Sequence, residues 1–135
     1  MPVRWLQIAV TSKEHTQAID ITEAVARACA ADGARDGLVL VYCPHTTAGV
    51  LIQEAEPGLL RDLEGWLAKA VPPDAPYRHN RADDNAASHL RAVVAGSSAI
   101  VPLQGGRLGL GTWQRIIFVE LDGPRRREVR LGLVT

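Results

Sequence analysis

Lysine is nearly absent from this chain: Lys13 and Lys69 are the only two among fifteen basic residues, and arginine supplies the rest. Fifteen Asp and Glu balance them, so no net charge steers the chain to nucleic acid or to a membrane surface. No apolar run approaches the roughly 20 residues of a membrane span. The opening Met1-Pro2-Val3-Arg4-Trp5 holds no signal-peptide core. Cysteine is scarce too. Cys29 and Cys43 sit in apolar surroundings and form no Cys-x-x-Cys pair, which predicts two buried, reduced thiols in a cytoplasmic protein. Repeats, low-complexity tracts and long linkers are all missing. A chain of 135 residues then reads as one domain, 1–135, able to bury a real core.

What is present is an alternation of strand and helix signals. Val3 to Thr11 reads as a strand. Asp20-Ile21-Thr22-Glu23 looks like a capping box opening a helix that Gly33 stops. The unbroken apolar run Leu38 to Cys43 predicts a strand covered on both faces, and Ala48 to Glu54 a further strand. Pro57 opens a second helix with the stripe Leu59, Leu60, Leu63, Trp66, Leu67 and Ala70. Asp83 or Asp84 caps a third, with a core face of Ala86, Leu90, Val93 and Val94, stopping at Gly96. The remainder is β: Ser98 to Leu103 and Leu108 to Leu110 around Gly105-Gly106, then Arg115 to Leu121 and Arg127 to Val134 around Asp122-Gly123-Pro124. Strands first and last with helices between them favour an α+β domain over a parallel doubly wound sheet.

The polar residues gather in Tyr77 to His89, where two of the four histidines accompany Asp83-Asp84-Asn85. Neutral imidazole and carboxylate bind divalent metals or move protons near neutral pH. His45 follows a buried strand, His79 lies in a proline-bounded loop, and His89 flanks the apolar face of the third helix. Their spacing is no compact zinc motif, so they act together only if the fold gathers them. His15 reads as an exposed loop residue. Alternation puts Glu54 on the side of Val50 and Ile52, and puts Glu120 on the side of Ile116 and Phe118 with Gln114. A carboxylate facing apolar neighbours must be paired or its pKa rises. Arg127 shares a side with Val129, Leu131 and Leu133, joined by Arg125 if the strand extends back. Such an arginine suits either a phosphate or an internal carboxylate such as Glu54 or Glu120. Gly105 to Gly111 lacks the following helix a nucleotide loop needs, so it reads as hairpin turns.

The residues His45-Thr46-Thr47-Ala48, Glu54, Asp62, Tyr77-x-His79, Asp83-Asp84-Asn85-x-x-x-His89-Leu90, Gly96-Ser97-Ser98, Pro102, Gly105, Gly111-Thr112-Trp113-Gln114, Glu120, Asp122-Gly123-Pro124-Arg125 and Arg127 together resemble the YjbQ-like family of small bacterial and archaeal proteins. The likeness runs nearly the whole chain in order. One departure is Gln53-Glu54-Ala55, where many members carry Asn-Glu-Asn. The resemblance implies an α+β fold with a β-sandwich-like core of mostly antiparallel strands and about three helices. It also implies a homotrimer with sheets packed around the threefold axis. Members are often labelled secondary thiamine-phosphate synthases, which join an aminopyrimidine diphosphate to a thiazole phosphate and release pyrophosphate, as a weak or side activity.

These readings combine into an expected enzyme acting on a small phosphorylated metabolite. His45, His79 and His89 are the expected ligands of a divalent metal, zinc or magnesium, or charged contacts for phosphate. His45 and Glu54 or Glu120 are the expected proton-transfer groups. Asp84, Asn85, Trp113, Gln114, Arg125 and Arg127 are expected around the substrate, with Trp113 offering a flat face to a heterocycle. Two alternatives remain open: metal-assisted hydrolysis by a zinc-activated water, and a trimer that binds a metabolite without turning it over.

Overall fold

The structure, a computed structural model, describes residues 2–135. In chain order its elements are β1 (Val3–Thr11), β2 (Gln17–Asp20), α1 (Thr22–Asp32), β3 (Gly37–Tyr42), β4 (Ala48–Gln53), α2 (Pro57–Ala70), a 3-10 turn (Arg78–Arg81), α3 (Ala86–Ala95), β5 (Ser98–Gln104), β6 (Arg107–Leu108), β7 (Arg115–Glu120) and β8 (Arg126–Val134). They form two antiparallel sheets, ordered β1-β8-β3-β5-β6 and β2-β7-β4. This is the α+β, β-sandwich-like architecture, with three α-helices.

The main core lies between the sheets. Val39, Val41, Val101, Val129, Leu131 and Leu133 of the larger sheet meet Val50, Ile116 and Phe118 of the smaller, with Val25 and Cys29 of α1 closing the assembly. A second cluster lies on the other side of the smaller sheet, where Leu67 of α2 meets Ile117, Val119 and Leu121. β7 is therefore buried on both faces, and its sequence Arg-Ile-Ile-Phe-Val-Glu is apolar without alternation, as such a strand requires.

Several expectations are corrected by this packing. β3, not β7, was the strand expected to be covered twice. Val39 and Val41 are buried, but Leu38 and Tyr42 on its other face are exposed. With Val3, Trp5 and Ile100 they leave an apolar outer face on the larger sheet. α3 is turned away from the expected orientation. Ala86, Ala87, Ser88 and Arg91 are buried, whereas Leu90, Val93 and Val94 are exposed. The physical reason is close approach: a Cβ added at Gly49 of β4 would lie 2.5 Å from the Gly96 carbonyl oxygen and 2.9 Å from the Ala95 Cβ. Small residues suit that approach at the end of α3, whereas Arg91, further back, is buried with its Nε donating to the Val71 carbonyl at 2.9 Å. In α2, Leu67 is buried as expected, but Leu59 and Trp66 are exposed.

Local caps also differ. Asp20 Oδ1 accepts from the Thr22 N–H at 3.0 Å, while Glu23 turns outward to Arg115 at 3.0 Å, so no reciprocal capping box forms. Neither Asp83 nor Asp84 caps α3. Asp83 accepts from the Asp84 N–H, and Asn80 Oδ1 accepts the Ala86 N–H at 2.9 Å. Gly105 and Gly106, at φ 57° and 79°, make the tight turn between β5 and β6, as expected. Asp122-Gly123-Pro124 joins no hairpin: β7 and β8 belong to different sheets, and the turn carries the chain across the sandwich.

Candidate functional site

Three histidines collect at one end of the sandwich. His45 sits on the β3–β4 link, and His89 is in the first turns of α3. They face a cavity of about 380 Å³ whose walls also include Thr46, Val93, Gly96 and Ser97. His79, on the 3-10 turn, places its ring against His89, with centroids 4.7 Å apart and planes at 77°. The three do converge, in the sequence His45, cavity, His89, His79.

His45 is half-buried, and Glu128 of β8 engages its Nε2 through both backbone groups, N–H at 3.0 Å and C=O at 3.1 Å. Nδ1 is the nitrogen left for other chemistry. Burial, followed by the nearby Arg127 charge, pushes the His45 pKa below its usual 6.5. The ring is therefore a neutral imidazole at neutral pH, able to accept a proton. His79 is exposed, with Nε2 3.0 Å from Asn85 Oδ1. Asn85 Nδ2 in turn donates to Asp122 Oδ2 at 3.1 Å. Arg125 donates to the Asp122 carbonyl at 2.8 Å and to Oδ2 at 3.2 Å. His15 is exposed in its loop, as expected, with Nε2 3.6 Å from Asp122 Oδ1.

Beneath this end lies a buried ion pair. Glu120 is 0% exposed and Arg127 4%. Arg127 Nε donates to Glu120 Oε1 at 2.9 Å, and its Nη2 reaches Glu120 Oε2, the Thr47 hydroxyl and the Thr47 carbonyl. Ser12 Oγ donates to Glu120 Oε1 at 2.8 Å, and the N–H groups of Leu121 and Asp122 donate to Oε2. Burial alone would raise the Glu120 pKa, but the Arg127 guanidinium, the Asp122 N–H and the Ser12 hydroxyl outweigh it and hold the carboxyl below its usual value. Glu120 and Arg127 thus neutralise each other inside the core. Glu120 is no base open to solvent, which corrects that assignment, and Arg127 commits its guanidinium to Glu120 and Thr47 although it borders a second cavity beside His45. Arg127 instead anchors the loop that carries His45 through its two bonds to Thr47.

The other expected residues lie elsewhere. Ala48 pairs with Glu120 and Gln53 with Arg115. Glu54 therefore sits past the far end of β4, about 20 Å along the ladder from the histidine end at ~3.4 Å per residue. It lines a separate cleft of about 370 Å³ with Trp113, Arg115 and Asp20. Trp113 is 71% exposed. Gln114 closes its own turn, its Oε1 accepting the Gly111 N–H at 2.8 Å. Glu54, Trp113 and Gln114 do not join the histidines within one chain. Asp84 is exposed on the loop before α3.

With the architecture and this end of the molecule defined, likeness to known proteins can be placed. Residues 6–135 match the family described as UPF0047 protein YjbQ-like. The chain belongs to that family. A UPF0047 protein of Archaeoglobus fulgidus is 47% identical over 124 residues, spanning 92% of this chain and 96% of the relative. YugU of Bacillus subtilis, also a UPF0047 protein, is 38% identical, spanning 93% of each. Among solved structures, hypothetical protein APE1520 of Aeropyrum pernix superposes with a TM-score of 0.94 at 42% identity, covering 97% of this chain and 98% of the other. A YjbQ-like protein from Sulfolobus solfataricus, described as of unknown function, gives 0.93 at 34% identity, covering 98% and 96%. Family membership brings no named activity with it, so the chemistry rests on the site.

Two residues of the site escaped sequence reasoning. Asp122 was visible as a turn residue within the family-like Asp-Gly-Pro-Arg stretch but had no site role, and nothing marked Ser12. The expected metal, zinc or magnesium, is a matter of donor type only. Imidazole suits zinc better than magnesium, which prefers oxygen ligands. Among the described residues, however, no group of three or more His, Cys, Asp or Glu side chains is close enough to hold an ion.

Proposed function

We propose that this family member is an enzyme performing histidine acid–base chemistry on a small phosphorylated metabolite, in the cavity between the β3–β4 link and α3. The observation that carries the reading is the pairing of a neutral His45 with His89 across one cavity of about 380 Å³, with His79 against His89. That volume falls at the small-ligand end of the usual range of roughly 300–1,000 Å³. In its Nε2–H form, donating to the Glu128 carbonyl, His45 offers the Nδ1 lone pair as the proton acceptor. His89 supplies an N–H donor to phosphate oxygens or to a leaving group, and the Thr46 and Ser97 hydroxyls add further donors at the wall. The base role first given to Glu54 or Glu120 passes to His45.

Joining an aminopyrimidine diphosphate to a thiazole phosphate is the specific reaction to try first. It releases pyrophosphate, whose charge needs neutralising. Arg125, half-exposed and held by Asp122, is one guanidinium at this end, and Arg78 and Arg81 flank His79 on the 3-10 turn. Among the described residues no three His, Cys, Asp or Glu side chains stand close enough to hold an ion, so a zinc ion would supply Lewis-acid help towards phosphate oxygen only if the imidazoles drew closer. The exposed outer face of the larger sheet supports a homotrimer, since Trp5, Gly132, Leu40 and Ile100 form one row across four strands. Patches of that kind mark interaction surfaces.

The test is turnover of the two thiamine precursors, and of a panel of small phosphate esters, by wild type, His45→Ala and His89→Ala. Each substitution should lower turnover about 100-fold or more while leaving the circular dichroism spectrum unchanged. Equal turnover by wild type and His45→Ala would sink the assignment of the base.

A further inference from the structure

Asn85 stands between a carboxylate and an imidazole, and its two ends are chemically distinct. A carboxylate only accepts hydrogen bonds, so the amide end 3.1 Å from Asp122 Oδ2 is the NH2 group. The opposite end, 3.0 Å from His79 Nε2, is then the carbonyl oxygen, which also only accepts. Nε2 must carry the ring proton. In the neutral ring the lone pair is left on Nδ1.

Asp122 is itself fixed from below. Its N–H donates to Glu120 Oε2 at 3.0 Å, and Arg125 clamps its carbonyl and Oδ2. The buried Glu120–Arg127 pair, Asp122, Asn85 and His79 thus form one continuous series of hydrogen bonds from the core to the surface. Among the described residues no other side-chain hydrogen bond would fix the orientation of the Asn85 amide.

We infer that Asp122 is a positioning residue for the histidine pair: through Asn85 it holds His79 as the Nε2–H form and presents Nδ1 as its reactive nitrogen. The inference rests on the proposed role of the histidine cavity for its functional meaning, but the proton placement stands on geometry alone. The same arrangement is how proteins orient functional imidazoles generally, with a partner on one nitrogen fixing the chemistry of the other. Here an amide relays the constraint from a carboxylate one residue away.

Imidazole 15N NMR at mildly alkaline pH reads the proton directly. Wild type should show His79 as Nε2–H, with that proton protected from solvent exchange although the ring is exposed. Asp122→Asn offers either an oxygen or an NH2 to Asn85, so the amide is free to turn. Exchange of the His79 proton should then quicken at least tenfold, with the backbone spectrum otherwise preserved. Asn85→Ala removes the relay itself and should do the same, and it serves if Asp122→Asn fails to fold. A wild-type ring protonated on Nδ1, or protection unchanged in a folded Asp122→Asn or Asn85→Ala protein, overturns the inference. Turnover separates the two levels. Asp122→Asn should lower kcat roughly 10- to 100-fold with KM little changed. Protection lost as expected, in a protein that turns over no phosphorylated metabolite, upholds the positioning and overturns the enzyme reading.

Discussion

Replacing Arg127 with methionine would leave a bare carboxylate in the middle of the sandwich. Glu120 is 0% exposed, and among its partners only Arg127 carries positive charge. The Ser12 hydroxyl and the Leu121 and Asp122 N–H groups would remain, yet none of them neutralises it. Removing one member of a buried pair typically costs about 3–5 kcal/mol, because the other is left uncompensated. For 135 residues, an unfolding entropy of about 2.1 cal/mol/K per residue makes this a fall in Tm of roughly 11–18 °C. Scanning calorimetry at matched protein concentration would measure it, since self-association also shifts Tm. The pH dependence identifies the cause. In wild type the folded-state pKa of Glu120 lies below its ordinary value of 4.5, so its stabilisation is full above that value and is lost as pH falls through the folded pKa. In Arg127→Met burial acts with no cation to oppose it, so Glu120 takes up a proton at higher pH and the deficit against wild type shrinks on acidification. Adding Glu120→Gln to Arg127→Met should recover much of the loss. A deficit under 1 kcal/mol, or one constant between about pH 4 and pH 8, would refute the electrostatic account.

Two other perturbations test the surface and the site. Trp5→Arg or Ile100→Arg, on the exposed face of the larger sheet, should convert an associated species into monomer by light scattering without lowering helix content; a wild type that runs as a monomer refutes the trimer. His45 has a folded-state pKa below 6.5, so its contribution to stability is present above that pH and is lost as pH falls from 6.5 through the folded value. His45→Gln should flatten that part of the stability profile, and an NMR titration placing the His45 midpoint above 6.5 would contradict the burial argument.

Most elements were legible because their signals are local. Pro57 at a first helical turn, Gly33 at a helix end and Gly105-Gly106 at a tight turn each act within a few residues. β2 was not, since Gln17-Ala18-Ile19-Asp20 is short, polar and paired only through β7. Periodicity located the stripe on α3 but could not say that the helix buries its small side, which depends on Gly49 and Gly96 meeting across space. The same limit applies to the site. The histidines could be picked out as a chemical type, and three of them do gather. Glu54 and Glu120 looked equivalent by alternation, yet register puts them at opposite ends of one ladder and pairs Glu120 with Arg127. Asp122 was hidden because a turn residue and an orienting carboxylate have the same local sequence.

The pairing of β1 with β8 has a consequence for how the chain is made. Val3 lies opposite Val134 and Thr11 opposite Arg126, and β1 has no other neighbour in its sheet. β8 also lies between β1 and β3, so β1 is joined to the rest of the larger sheet only through the last of the described strands in chain order. During translation β1 waits as an unpaired apolar segment while β3 and β5 are free to pair as an antiparallel ladder without it. Closure across so many residues is entropically slow and places folding in the millisecond-to-second class of non-local β proteins. In a nascent chain the interval before residues 126–134 emerge is therefore when Trp5 and its strand are most open to chaperones or to neighbouring chains.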